Sequence, residues 1–305
     1  MSNILVTGGA GFIPSCIVDN LLQKGHKIIS VDNFVTGKKE NVLKKEGLRF
    51  VEADVNNYEQ IAPLFENEID YIFHYAALVG VNRTLENPIN VLEDVNGFNN
   101  IFSLARDAKV KKIFFSSSSE VYGEPVHLPQ SEYSTPLNSR LPYAVVKNVG
   151  ECFCKSYKQE FDLDYTIFRF FNTYGPRQSD DFVVSKFLVA ATQGRDLTVY
   201  GDGSQTRTLC FIDDHVDATM NALSKNLFNN EIVNIGNDQE ITILDLAKTI
   251  IRLTKSKSKI IHLPPLKEGD MTRRQPEITR MKELLGRNFT ELEVGIQKVI
   301  DSNYL

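Results

Sequence analysis

Through the first half of the chain, short apolar runs alternate with stretches whose apolar residues recur every three or four positions. Ile4, Leu5 and Val6 form the first run and read as a buried strand. Ile17, Val18, Leu21 and Leu22 then share one helical face. Further strands are predicted over Lys27 to Val31, Arg49 to Glu52, Tyr71 to Tyr75, Lys112 to Phe115 and Asp164 to Phe170. Helix patterns lie between them: Tyr58 to Phe65, a long one opened by Pro88 (Val91, Val95, Phe98, Ile101, Phe102, Leu104), and another from about Tyr143 to Glu160. This alternation predicts an α/β fold, a doubly wound parallel sheet with ligands at the carboxyl ends of its strands.

Two stretches depart from that rhythm. Glu124 to Leu141 is rich in Pro, Ser and polar residues and reads as a long functional loop. Beyond Asn172 the elements shorten, with frequent Gly, Pro and charged breaks, and helices are predicted near Val183–Thr192, His215–Leu223, Ile243–Leu253 and Glu291–Ile300. A soft boundary therefore separates residues 1–172 from a smaller α/β part, 173–305, which is expected to bind substrate, with crossings of the chain between the two allowed.

Composition narrows the class. The 305 residues, 42% hydrophobic, suffice for one large or two modest domains. Net charge is −5 with both signs interspersed, which points away from a nucleic-acid surface; Lys255 to Lys259 reads as a solvated loop. No apolar run is long enough to span a bilayer, and the first strand begins where a secretory leader would lie. Cys16, Cys152, Cys154 and Cys210 are too scattered for a disulfide framework, and neither they nor the five histidines give a metal spacing. The expectation is a cytoplasmic protein with reduced thiols, no metal, no membrane and no nucleic-acid partner.

Candidate chemistry begins at the first strand. Gly8, Gly9 and Gly11 sit between that strand and a helix, where glycine lets the backbone approach a pyrophosphate and the helix-opening amides of Phe12 and Ile13 point at its charge. The second strand ends in Asp32, which can accept hydrogen bonds from an adenosine ribose and would repel a ribose phosphate. The reading is a Rossmann domain that binds NAD rather than NADP. The alternative is a glycine turn with a surface aspartate. Pro14 stands where such motifs carry a third glycine; proline is tolerated in a first helical turn, and the helix is expected to be slightly displaced. Ala76 and Ala77 open a small-residue loop suited to a cofactor crossing the strand ends.

Tyr143 and Lys147 lie one helical turn apart on one face. A tyrosine keeps its proton near neutral pH. A neighbouring ammonium and an oxidised nicotinamide would both favour the phenolate, which could then take the proton of an alcohol while a serine of the run Ser116–Ser119 hydrogen-bonds the same oxygen.

These residues carry a family resemblance. Thr7-Gly-Gly-Ala-Gly-Phe-Ile13, Asp32-Asn33, Asp54-Val55, His74-Tyr-Ala-Ala77, Ser116-Ser-Ser-Ser-Glu-Val-Tyr-Gly123, Tyr143-x-x-x-Lys147, Arg169-Phe-Phe-Asn-Thr-Tyr-Gly-Pro176, Val199 to Arg207 and Arg273 to Ile278 together resemble the extended short-chain dehydrogenase/reductases that modify nucleotide sugars. The resemblance implies Ser118, Tyr143 and Lys147 as the catalytic trio. It implies Asn33, Thr36, Gly37, Asp54, Val55 and Asn96 beside the cofactor. It also implies Val79, Ser118, Asn172, Tyr200, Arg207 and Arg274 on the side of the sugar nucleotide. Guanidinium groups suit a diphosphate because their planar fork donates two hydrogen bonds, whereas a lone surface arginine more often forms a salt bridge of little worth.

Members of that family oxidise a sugar at C4, and the fate of the ketone defines the enzyme. Glu120 resembles the decarboxylases and many dehydratases, and could act as a base at C5 or be a plain loop carboxylate. Ser119, just before it, differs from one major dehydratase class. Ala77 to Pro88 looks more like the epimerase loop. 4-Epimerisation is the first reading; net C4 oxidation is second, since Pro14 and Glu120 both leave the epimerase pattern; decarboxylation or dehydration follows. A non-catalytic NAD sensor is the reading outside this class. In the family the helices corresponding to Val91–Ala105 and Tyr143–Glu160 pair with a second copy, which implies a homodimer.

Overall fold

Asn3–Thr7 (β1) becomes a strand buried on both faces because Ile4, Leu5 and Val6 leave no solvent side. It lies between Lys27–Asp32 (β2) and Tyr71–His74 (β4), parallel to both. Leu48–Glu52 (β3) extends the sheet beyond β2, while Lys112–Ser118 (β5) and Asp164–Phe170 (β6) extend it beyond β4. The order is β3-β2-β1-β4-β5-β6, with Glu231–Ile235 as a seventh strand beside β6. This is the doubly wound α/β sheet expected from the alternating pattern; its strands run parallel, and the order in which they are added reverses between β1 and β4, where ligands of such sheets bind.

The computed structural model describes residues 1–265, 273–302 and 304. They divide into two units, each assembled from separate stretches of chain. The first holds Met1–Val121, Asn138–Phe170 and Thr219–Val233, and the second holds Tyr122–Leu137, Phe171–Ala218 and Asn234–Leu305.

In the first unit the helix Phe12–Gln23 (α1) starts directly after the glycine turn and buries Pro14, Ile17, Val18 and Leu21. Pro14 is the third residue of that helix, where a backbone N–H has no intrahelical acceptor, so proline costs no helical bond; the first one runs from Ser15 N to Gly11 O at 3.1 Å. The Ala10 carbonyl, ahead of the helix, accepts from Lys38 N and Asn41 Nδ2 at 3.0 and 2.9 Å. The helix opened by Pro88 runs as Pro88–Leu92 and Asp94–Asp107, interrupted at Glu93. Its buried Phe98, Ile101 and Phe102 share a core with Phe115, Val146, Cys154 and Ile167. Pro142 sits at the first position of the helix Pro142–Phe161, where its missing N–H costs nothing, and Asp162 ends that helix in a left-handed conformation. The predicted helix over Tyr58–Phe65 is a single α-turn, Tyr58–Ile61, that tightens into a 3₁₀ segment at Pro63.

The second unit contains the helices Val183–Thr192, Ile212–Ser224 (whose last residues belong to the first unit), Ile243–Thr254, Thr279–Leu285 and Leu292–Ile300. Leu197–Tyr200 pairs parallel with Ile260–Leu263, and Thr206–Thr208 antiparallel with Glu240–Thr242. The loop after Tyr122 belongs here. Asn234 accepts from Tyr122 Oη at 2.7 Å, donates through Nδ2 to Gln130 O at 2.9 Å, and its amide donates to Glu132 Oε1 at 2.9 Å. Among the described residues no helix is long and apolar enough to cross a membrane.

Gly150 lets the Pro142–Phe161 helix lie flat on β5, since a Cβ there would fall 2.2 Å from Phe115 Cζ. Gly150→Ala adds helix propensity but overpacks this contact, and overpacking dominates. A net loss of about 1–2 kcal/mol is expected in urea unfolding; a gain would mean that the ring yields freely.

Candidate active site

The glycine turn is built against β4. Gly8 adopts φ +72°, and a Cβ on it would lie 2.9 Å from both N and Cα of Ala76. Thr7 fixes the approach from the other side. Its Oγ1 accepts from the amides of Tyr75 and Ala76, both at 3.1 Å, and meets His74 Nδ1 at 2.8 Å. With two amides on the Thr7 oxygen, its hydroxyl proton goes to Nδ1, so the imidazole carries its own proton on Nε2. Burial lowers the His74 pKa to about 3, helped by the Lys147 charge, and the ring stays neutral.

Asp32 ends β2 beside this turn. Ala10 N donates to Oδ2 at 2.9 Å and Phe34 N to Oδ1 at 2.7 Å. Burial raises its pKa, against the pull of those two amides. Each oxygen keeps a further lone pair, so the carboxylate can still accept from a ribose. Gly37 lies next to Asp32, Asn33 Oδ1 accepts from Val35 N at 3.1 Å, and Thr36 is half-buried in the same loop. Asp54 Oδ1 takes the Asn56 amide at 2.8 Å, and Val55 O takes Asn100 Nδ2 at 3.0 Å. A crevice that only a glycine fits, the helix-opening amides of Phe12 and Ile13, and an acidic acceptor at the end of β2 suit an adenine dinucleotide.

The residues expected to act as acid and base cluster where β5 meets the Pro142–Phe161 helix. Ser118, the last residue of β5, accepts at Oγ from Glu120 N at 3.2 Å. Lys147 is buried (3% exposed) and donates to Ser116 O at 2.8 Å and Ser116 Oγ at 3.3 Å. Its ammonium stands 5.4 Å from the centre of the Phe115 ring and 5.9 Å from that of Tyr143. Burial lowers the Lys147 pKa to about 8, and the Asp94 carboxylate opposes that fall.

Asp94 was not singled out by the sequence. It is partly buried, its own pKa is raised by burial, and Oδ2 accepts from Leu78 N at 3.0 Å, which anchors the loop carrying Ala76, Ala77 and Val79. Val79 O accepts from Arg83 Nη1 at 2.7 Å. Asn96, two residues on, is exposed. The only signal for Asp94 was a carboxylate at the start of a helix. Glu151 was also passed over, although it continues the Tyr143–Lys147 spacing by one more turn.

The residues expected to hold the sugar nucleotide belong to the second unit, except Val79 and Ser118. Among the described residues, Asn172 Nδ2 is buried with no hydrogen-bond partner. Arg274 is buried, whereas its neighbour Arg273 forms an exposed ion pair with Glu240. Arg207 Nη1 donates to Thr206 O at 2.7 Å, and Lys186 covers the Tyr200 ring at 5.5 Å.

On the expectation that Tyr143 acts as a phenolate favoured by charged Lys147, turnover should fall as pH rises through about 8. Asp94→Asn removes the opposing charge and should move that fall to lower pH in a pH–rate profile. An unmoved profile would mean that Asp94 does not act on Lys147.

Comparison with known proteins agrees with this geometry. The family model described as "NAD dependent epimerase/dehydratase family" matches residues 4–236. A UDP-N-acetyl-alpha-D-glucosaminuronate decarboxylase of Bacillus cytotoxicus is 38% identical, covering 92% of this chain and 90% of that protein. Among solved structures, the UDP-glucose 4-epimerase of Thermotoga maritima with UDP-glucose superposes with a TM-score of 0.92 at 32% identity, covering 98% of this chain and 97% of that one. The UDP-glucose 4-epimerase of Thermus thermophilus in complex with NAD gives 0.90 at 28% identity, covering 98% of each. With its parallel sheet, glycine turn and Tyr-x-x-x-Lys helix, the chain belongs to the NAD-dependent epimerase/dehydratase family of extended short-chain dehydrogenase/reductases.

Proposed function

We propose that this enzyme oxidises the sugar of a nucleoside-diphosphate sugar at C4 and then completes a 4-epimerisation. The observation that carries the reading is the dry Lys147 ammonium beside the Tyr143 ring, at the end of the strand that bears Ser118. In this reading Tyr143, as the phenolate, takes the proton of the C4 hydroxyl. Lys147 lowers the cost of that phenolate, and Ser118 donates a hydrogen bond to the oxygen as it becomes a ketone. Bound NAD supplies the hydride acceptor. Gly8, Gly11, Phe12 and Ile13 hold its pyrophosphate; Asp32, Asn33, Thr36 and Gly37 hold its adenosine side. Asp54, Val55, Ala76, Ala77, Tyr143 and Lys147 line the rest of its path. Asn172, Arg207 and Arg274 grip the diphosphate and nucleoside of the substrate, with Val79 and Tyr200 beside the sugar. The orphan amide of Asn172 and the buried cation of Arg274 support that assignment.

Decarboxylation is the second reading, and two observations favour it. A relative named as a decarboxylase is 38% identical over nearly the whole chain, and the Glu120 amide bonds the Ser118 hydroxyl, which seats a carboxylate-bearing residue beside the reacting serine. On a uronic acid, the C4 ketone would make the C6 carboxylate a β-keto acid that leaves as carbon dioxide.

A second copy of the chain is the proposed partner, joined through the helices around Val91–Ala105 and Tyr143–Glu160. Exposed Leu92 and Val145 on these stretches, with Ile89 (72%) just ahead of the first, support it. The proposed location is the cytoplasm, which all four free thiols suit. Light scattering is expected to give twice the mass of one chain; a monomer at micromolar concentration would contradict the pairing.

A panel of UDP-, GDP- and dTDP-sugars, with products resolved by mass and NMR, tests the reaction. An epimer of unchanged mass is expected, and loss of carbon dioxide would select the second reading. Tyr143→Phe should abolish the product and the absorbance of enzyme-bound NADH. Turnover surviving in Tyr143→Phe would overturn the assignment of the base.

A further inference from the structure

Tyr143, Lys147 and Glu151 follow one another at four-residue spacing along a single helix, so they share a stripe facing β5 and β6. Glu151 is wholly buried (0% exposed) and accepts three hydrogen bonds. Ser117 Oγ donates to Oε1 at 2.6 Å, Arg169 Nε to Oε1 at 2.8 Å, and Arg169 Nη2 to Oε2 at 2.7 Å. Arg169 is itself 2% exposed. Ser117 and Arg169 are register partners across β5 and β6. One carboxylate therefore ties the helix to two strands at the residue between Ser116, which receives Lys147, and Ser118.

We propose that Ser117, Glu151 and Arg169 form a positioning unit that fixes the height and rotation of the helix on the sheet, and with them the spacing of Tyr143, Lys147 and Ser118. None of the three is a catalytic residue; they act through the helix. The proposal rests on the acid–base reading of that trio.

Val146 and Cys154 pack the helix onto the sheet, but at the level of Glu151 packing supplies little registration. Next to Glu151 the helix presents Gly150 to the flat Phe115 ring, a contact with no side chain to interlock and resist sliding. A buried ion pair, for its part, adds little net stability over apolar groups of equal volume, because both charges lose their water. What the pair does supply is direction: a forked guanidinium on a carboxylate fixes distance and angle together. Ser117 extends that fix to the strand bearing the reactive serine.

The test uses the NAD-loaded enzyme and three readings: urea unfolding, kcat and KM with whichever sugar nucleotide the wild type turns over, and titration of the Tyr143 phenol. The titration is read at the tyrosinate absorbance, each variant against the same background carrying Tyr143→Phe. The double variant Glu151→Met/Arg169→Met is expected to fold, keep its KM, lose kcat by roughly 100-fold, and shift the phenol titration up by about one pH unit as Lys147 moves away. A folded double variant with wild-type kcat and an unmoved titration overturns the proposal. Should the double variant fail to fold, Ser117→Ala decides. It leaves the ion pair in place and is expected to lower kcat several-fold and raise the phenol titration, and no change in either overturns the proposal. If the wild type turns over no sugar nucleotide, the functional reading fails separately. The phenol titration then judges the positioning unit alone: an upward shift supports it and an unmoved one overturns it.

Discussion

An ammonium taken out of water and kept able to carry its charge is the constraint around which this molecule is arranged. Lys147 reaches that state by donating hydrogen bonds to the Ser116 carbonyl and hydroxyl in β5, beside two aromatic rings and within the field of Asp94. In the proposed mechanism that burial would let its charge act strongly on the Tyr143 phenolate, with little solvent between them to screen it. The same burial pulls its own pKa down to about 8, close to the point at which the charge is lost. The site therefore works between two opposed demands, and the carboxylate of Asp94 is the group on the protein that eases the conflict.

The doubly wound sheet serves that arrangement. β1 and β2 end in the glycine turn and Asp32, while β5 ends in the serine run, so all three emerge at the carboxyl ends of one parallel sheet. Thr7 links β1 to β4 through two amides and an imidazole, which locks the crevice at Ala76 without any group that titrates near neutrality. The long Pro142–Phe161 helix then brings Tyr143 and Lys147 to the β5 end, held there by the buried Glu151 carboxylate. Wherever the chain must be precise, it uses a buried polar group whose partners lie far away in sequence.

That distribution explains what could be read from the sequence. The glycine turn, Asp32 and the Tyr143–Lys147 pair are each local signals, recognisable within a few residues because one turn or one helix face carries the whole meaning. The sheet was legible for the same reason, since each of its first six strands is a compact apolar run. Asp94 and Glu151 draw their roles from Lys147 and Arg169, contacts that no window of adjacent residues displays. The strand Glu231–Ile235 and the pairing of Leu197–Tyr200 with Ile260–Leu263 were missed because such short segments become strands only when a remote edge accepts them. The loop after Tyr122 was recognised as a loop, but its attachment to Asn234 depends on residues about a hundred positions away in the chain.

The most direct measurement of the central claim is the titration of Tyr143 itself, followed by carbon-13 NMR of ring-labelled tyrosine in the NAD-loaded enzyme and in Lys147→Met. The account predicts a phenol that ionises well below the ordinary tyrosine value in the wild type and returns to or above that value once the ammonium is gone. Identical titration in the two proteins would contradict it.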